Sequence, residues 1–151
     1  MMGNPHFETA PSWKAARTML AFQPLEPRYT AGHSLQSIRI HVRDHRLRAL
    51  AVADRTLEAH YGAFVFSQAR KGREEARHLA LAVSYGPEGR DAQFAGFKSR
   101  IYELGSEPPP DDIDGRTPAV VTWSDGAMFY LIVSDSMPSA DLVRIADSMY
   151  E

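Results

Sequence analysis

Apolar and polar residues alternate most regularly in the segment SIRIHVRD, residues 37 to 44. An extended chain points successive side chains to opposite sides, so such an alternation predicts a half-buried β-strand. The inward set is Ile38, Ile40 and Val42, and the outward set is Arg39, His41 and Arg43. The sequence therefore predicts a strand with a basic outer face in this part of the chain.

A second pattern, VVTWSDGAMFYLIV at residues 120 to 133, places two apolar runs on either side of an Asp-Gly pair. Asp125 and Gly126 suit a two-residue type I′ turn, in which both central residues adopt positive φ. Such a turn pairs Trp123 with Met128 and Val121 with Tyr130. One side then carries Val120, Thr122, Ala127, Phe129, Leu131 and Val133, and the other carries Val121, Trp123, Met128, Tyr130 and Ile132. Because both sides are apolar, we expect a central hairpin covered on both sides, or one that presents a side to a partner.

Helical periodicity marks the two ends of the chain. Ser12 is a suitable N-cap for a helix over residues 13 to 22, and Ser139 for a second helix with Asp141 in its first turn. Apolar residues recur on one helical face at Trp13, Ala16, Met19 and Leu20, and again at Leu142, Ile145, Ala146 and Met149. We therefore expect an amphipathic helix at each end of the domain.

The remaining segments show weaker patterns. Prolines and glycines predict an extended linker over 23 to 34 and surface loops over 86 to 96 and 106 to 116. Strand patterns occur at 57 to 66, with 61 to 68 as the clearest part, and at 97 to 105, whereas 46 to 57 and 74 to 85 fit either a helix or a strand. Residues 1 to 11 are expected to be a flexible leader, and residues 12 to 151 a single domain.

The composition narrows the function classes. The chain has 151 residues, 44% of them hydrophobic and 24% charged, which suits one globular domain. A net charge of −2 argues against nucleic acid or an anionic membrane as the main partner. The absence of cysteine excludes disulfides, thiolate metal sites and cysteine nucleophiles. No signal peptide or membrane-spanning segment is visible, so a cytoplasmic protein is expected, or an extracytoplasmic one if the chain is an excised domain.

The segment HVRDH is the strongest candidate for chemistry. In a helix His41 and His45 would share a face at i, i+4, as metal ligands can, but the alternation predicts a strand, where they share a face only through the period of two. The neighbouring arginines crowd the site with positive charge, which disfavours a cation. As a basic patch it could receive an anion or an acidic partner, although a solvated outer strand face explains it more simply. The chain has no Gly-x-Ser-x-Gly elbow and no phosphate-binding loop, and the DDIDG segment lacks the later glutamate of a calcium loop. We therefore predict no catalytic residues, metal or cofactor.

The end of the chain resembles a known group of domains. RTPAVVTWSDGAMFYLIVSD followed by SADLVRIADSMY is similar to the end of bacterial domains of unknown function that occur on anti-sigma-factor-like and lipoprotein-sorting-like regulators. In these domains a tryptophan-bearing hairpin precedes a short helix, and Trp123, Leu142, Ile145 and Ala146 take the corresponding places. MLAFQPLEPRYTAGHSLQSIRI is similar to their first segment. The resemblance implies a curved antiparallel sheet with helices on one side, and a sensing or binding role without catalysis.

These patterns together predict an α+β domain with a curved antiparallel sheet of about five or six strands, flanked by an N-terminal and a C-terminal helix. The predicted function is a non-enzymatic binding or regulatory domain that holds a protein segment or a small apolar ligand on its sheet. The expected ligand-binding residues are Trp123, Met128, Phe129, Tyr130, Arg39, His41 and Arg43. The alternatives are a small hydrolase or isomerase with a His/Asp cleft, and a structural homodimer module.

Overall fold

The described part of the chain forms eight β-strands and two α-helices. The computed structural model describes residues 7–20, 22–41, 55–70, 90–103, 118–126 and 128–151. Its elements, in chain order, are β1 (Phe7–Ala10), α1 (Trp13–Thr18), β2 (Ser37–His41), β3 (Thr56–His60), β4 (Val65–Arg70), β5 (Arg90–Phe94), β6 (Phe97–Tyr102), β7 (Ala119–Asp125), β8 (Met128–Ser134) and α2 (Ser139–Ser148).

The strands form one open antiparallel sheet in the order β1-β2-β3-β4-β8-β7-β6-β5. Two four-stranded meanders meet in its middle, where β4 pairs with β8. The sheet has eight strands, so the prediction of five or six was wrong. The two edge strands account for the difference, because β1 lies in the predicted leader and β5 in a predicted loop. Their short sequences, FETA and RDAQF, do not alternate strongly, and pairing with a neighbouring strand holds them extended.

One face of the sheet, called here the helix-covered face, packs against both helices. Ile38, Leu57, Phe66, Trp123 and Ile132 point from the strands into this core. Helix α1 adds Trp13 and Ala16 to the same cluster, and α2 adds Leu142, Ile145, Ala146 and Met149. The predicted apolar face of the C-terminal helix is therefore confirmed. The opposite face, which neither helix of the described ranges covers, is called here the helix-free face and carries the alternate strand residues.

The turn of the central hairpin lies one residue later in the chain than predicted. Trp123 pairs with Tyr130 and Asp125 with Met128, so the predicted pairing of Trp123 with Met128 was wrong. The two-residue connection begins at Gly126, which has a φ of 59°, and Asp125 stays in the strand. Moving the turn by one residue shifts each cross-strand partner by two, and side chains alternate with a period of two. For the described residues of β7 and β8, the predicted faces therefore remain correct, whereas Ala127 lies outside the described residues.

Both helices begin close to the predicted positions. The Ser12 hydroxyl accepts a hydrogen bond from the Ala15 amide at 3.1 Å, which confirms it as the N-cap of α1. Helix α1 ends at Thr18 rather than near residue 22, and Arg55 of the neighbouring chain segment donates to the Met19 carbonyl at 2.7 Å. That contact satisfies a carbonyl at the helix end that has no partner within the helix.

The N-cap of α2 is Pro138, not Ser139 as predicted. Ser139 is the first helical residue, and its hydroxyl donates to Glu103 Oε1 at 2.6 Å instead of accepting from the first turn.

The strand predicted at 61 to 68 begins later in the structure, at Val65. Gly62, with a φ of 83°, turns the chain between β3 and β4. The strand predicted within 97 to 105 is confirmed as β6.

The predicted loop at 106 to 116 and the ambiguous segment at 74 to 85 lie outside the described residues, as does most of 46 to 57. Within the part of the chain that the structure describes, neither helix has the length and apolar character needed to cross a membrane.

Candidate functional site

A row of side chains crosses the whole helix-free face, one from each strand. Cross-strand pairing aligns them in the order Thr9, Arg39, Glu58, Ser67, Leu131, Thr122, Arg100 and Asp91. Charged residues lie towards both ends of this row, Arg39 and Glu58 on one side and Arg100 and Asp91 on the other, and Arg100 contacts Asp91 at 2.8 Å. Its centre, Leu131, is buried. The face is therefore polar at both edges and apolar in the middle.

A parallel row on the same face is mostly apolar. His60, Val65, Val133, Val120 and Tyr102 pair across β3, β4, β8, β7 and β6 in that order. Val120 and Leu131 form a second, smaller buried cluster, against which Tyr102, Phe129 and Val133 pack while remaining half-buried. We call these five residues the apolar patch. Along the row, Val65 lies between the patch and His60.

Three titratable side chains converge at one end of the helix-free face. Glu58 and His60 are two residues apart on β3 and so point the same way, and His41 comes from the adjacent strand β2. Glu58 Oε1 lies 3.1 Å from His41 Nε2 and 3.0 Å from His60 Nε2. The contact with His41 and the weaker one with His60 lower the pKa of the Glu58 carboxyl, against the opposing effect of its partial burial. We call these three residues the His–Glu–His cluster.

The lowered pKa of Glu58 predicts a loss of stability in acid. A carboxyl whose folded pKa lies below its unfolded value near 4.5 stabilises the fold above that value, and the contribution disappears as the pH falls through the folded pKa. The difference in unfolding free energy between the parent protein and Glu58→Gln should therefore persist down to about pH 5 and shrink below 4.5. Urea unfolding at a series of pH values measures it.

The matched control for this experiment is Glu8→Gln, at an exposed position of edge strand β1. It should leave the pH profile of stability unchanged between pH 7 and pH 3, as expected for an exposed carboxyl. A Glu58→Gln protein whose stability follows that of the parent at every pH would contradict the role assigned to the cluster.

The His–Glu–His cluster does not engage the nearby hydroxyl of Thr56. Thr56 pairs with His41, and its buried hydroxyl has no hydrogen-bond partner among the described residues. Thr56 therefore does not supply a nucleophile hydrogen-bonded to its base, as acyl transfer requires. In the same described ranges, no three histidine or carboxylate side chains are arranged to hold a metal ion. The cluster can donate and accept hydrogen bonds through its imidazole nitrogens and its carboxylate.

The structure divides the predicted ligand-binding residues between the two faces. Trp123 and Tyr130 are buried beneath α2 on the helix-covered face, where their rings stack at 5.1 Å and Met128 packs beside the core. The Trp123 indole donates to the Tyr150 hydroxyl at 2.8 Å, and burial raises the pKa of Tyr130. Arg39, His41 and Phe129 lie on the helix-free face. Arg43 is outside the described residues.

Two members of the site, Glu58 and His60, were missed by sequence reasoning. The segment TLEAH alternates Thr56, Glu58 and His60 with Leu57 and Ala59, which is the same signal that predicted β2. The sequence allowed a strand over 57 to 66, but its polar outer face was not identified. The partnership with His41 depends on which strand lies beside which, and no local pattern contains that information.

Comparisons of the chain with protein-family profiles, with curated proteins and with solved structures found no match. The resemblance to domains of anti-sigma-factor-like and lipoprotein-sorting-like regulators stays a prediction.

Proposed function

We propose that this protein is a non-enzymatic binding domain that holds a small apolar molecule on the apolar patch of its helix-free face. The observation that carries the proposal is the position of Tyr102, Phe129 and Val133. All three are half-buried around the buried pair Val120 and Leu131, on the side of the sheet that neither described helix covers. Binding sites for small molecules combine such apolar surface with a few polar groups that fix orientation.

The neighbouring polar side chains supply that orientation. His60 adjoins Val65 in the apolar row, and its Nε2 atom contacts Glu58 on the same face. A ligand lying along the row would place one end near an imidazole and a carboxylate. The polar end of a largely apolar molecule can exchange hydrogen bonds there, because histidine both donates and accepts.

The charged residues around the patch favour a small molecule over a protein segment as the ligand. A stable protein–protein interface buries roughly 800 Å² on each partner. The apolar patch is bounded by Arg39 and Glu58 on one side and by Arg100 and Asp91 on the other. A protein surface docked across the whole row would have to desolvate these charges, whereas a small ligand can remain between them. The same argument disfavours a homodimer formed through this face.

The neutral apolar dye N-phenyl-1-naphthylamine tests the proposal. It should bind the protein, and Val133→Thr should weaken binding about fivefold, because a hydroxyl placed in the patch must be desolvated by an apolar ligand. Val143→Thr makes the same change on α2, which packs on the opposite face, and should leave the affinity unchanged. Fluorescence titration measures all three affinities. Absence of dye binding to the parent protein, or equal weakening by both variants, would refute the proposal.

A further inference from the structure

A concave surface lies near the ends of both helices and is lined by residues outside the apolar patch. A groove of about 680 Å³ is lined by Arg17, Pro24, Leu25, Glu26, Pro27, Arg28 and Met149. A smaller hollow of about 310 Å³ adjoins it and shares Arg17 as a wall. Most of the lining comes from the irregular segment that connects α1 to β2, so the groove depends on how that segment is held.

Buried side chains of the core hold the segment in place. Gln68 of β4 is fully buried, and its amide accepts from the Leu25 N–H and donates to the Leu25 carbonyl, both at 2.9 Å. The hydroxyl of Ser148, at the end of α2, accepts from the amides of Arg28 and Tyr29 at 3.1 and 3.0 Å. Backbone groups of an irregular segment must find such partners if they are removed from water. The floor of the groove is therefore formed before any ligand arrives.

The charges in the groove favour an anion. Two arginines, Arg17 and Arg28, line the groove, against the single acidic residue Glu26. Glu26 Oε1 lies 3.0 Å from Arg17, and both side chains are more than two-fifths exposed. An ion pair this exposed is weak, so a second carboxylate can replace Glu26 on Arg17. Glu26 thus occupies the position that a ligand carboxylate would take.

We infer that this groove is a binding site for a small organic anion bearing carboxylate groups, with Arg17 and Arg28 as its two anion-binding residues. Guanidinium groups bind carboxylates through paired, charge-assisted hydrogen bonds. Pro24, Leu25 and Met149 contribute the limited apolar surface against which the carbon chain of such a ligand can lie. The inference is independent of the proposed function, because none of these residues belongs to the apolar patch.

Succinate, with the neutral isostere succinamide as its control, tests the inference by titration into 15N-labelled protein. Succinate should shift the backbone amides of Arg17, Leu25, Glu26, Arg28 and Met149, and succinamide should not. Arg28→Gln should weaken succinate binding about tenfold, as expected from loss of a hydrogen bond to a charged group. Glu26→Gln should strengthen binding about threefold, because it removes the carboxylate that competes for Arg17.

The matched control is Asp91→Asn, which releases a different exposed arginine, Arg100, at the edge of the sheet. It should leave succinate binding unchanged. If the ion pair of Arg17 and Glu26 were purely structural, succinate affinity would not increase in Glu26→Gln while staying unchanged in Asp91→Asn. Two results of the titration itself would overturn the inference: equal shifts with succinamide, or shifts confined to other residues. The inference would also fail if succinate gave no response at about 20 millimolar, roughly the weakest binding of interest, or if Glu26→Gln gave no gain in succinate affinity.

Discussion

Replacement of Trp123 by alanine is expected to destabilise the protein by about 3–5 kcal/mol, the range for large-to-small changes in a packed core. The indole is 2% exposed and lies at the centre of an aromatic group. Its ring stacks on Phe66 at 6.1 Å and on Tyr130 at 5.1 Å, and it meets the edge of Phe94 at 5.1 Å. Truncation would leave a cavity among these rings and remove the hydrogen bond to Tyr150. Urea unfolding followed by circular dichroism measures the change.

Trp123→Phe separates the two contributions. Phenylalanine keeps most of the ring contacts and removes the indole N–H, so we expect a smaller loss of about 1–2 kcal/mol. If Trp123→Ala unfolded within about 1 kcal/mol of the parent protein, Trp123 would not be the central core residue described above. Such a result would also return this residue to the candidate ligand-binding surface.

The second large effect is expected at Gln68. Gln68→Ala removes both hydrogen bonds that hold Leu25, and we expect a loss of about 2–4 kcal/mol from the backbone groups left without partners and from the cavity. Hydrogen exchange at the Leu25 amide reports the local effect, and it should accelerate more than exchange at the amides of α2.

Two further variants sharpen the experiment at Gln68. Gln68→Glu keeps the size of the side chain, but a carboxylate cannot donate to the Leu25 carbonyl, so it should also lose stability. Gln93→Ala changes an exposed glutamine on the edge strand β5 and should alter stability by less than about 0.5 kcal/mol. Unchanged protection of the Leu25 amide in Gln68→Ala would show that another contact holds the connecting segment.

The sequence predicts best where one face of an element is buried along its whole length. Ile38 and Ile40 in β2, and Leu142 and Ile145 in α2, are buried at the expected period, because local geometry alone determines which way those side chains point. Residues on β7 and β8 also lie on the predicted faces. The strand register was wrong because it depends on which residue takes the first turn position, and Gly126 rather than Asp125 does so.

Features that depend on distant partners could not be predicted. The edge strand β1 is extended because it pairs with β2, and nothing in FETA requires a strand. The contact between His41 and Glu58 joins two strands whose neighbourhood appears only in the folded sheet. Gln68 has an unremarkable place in a strand sequence, and its role follows from a partner 43 positions earlier in the chain. In each case the missing information is a long-range pairing, which local patterns do not contain.

Methyl resonances on adjacent residues of the central strands test the proposed binding site most directly. Val65 on β4 and Val133 on β8 lie on the helix-free face. Val121 on β7 and Ile132 on β8 point instead into the core beneath α2. Saturation with N-phenyl-1-naphthylamine should shift the methyl signals of Val133 and Val65 and leave those of Val121 and Ile132 in place. Shifts at Val121 and Ile132 with none at Val133 would place the ligand on the other side of the sheet and contradict the account.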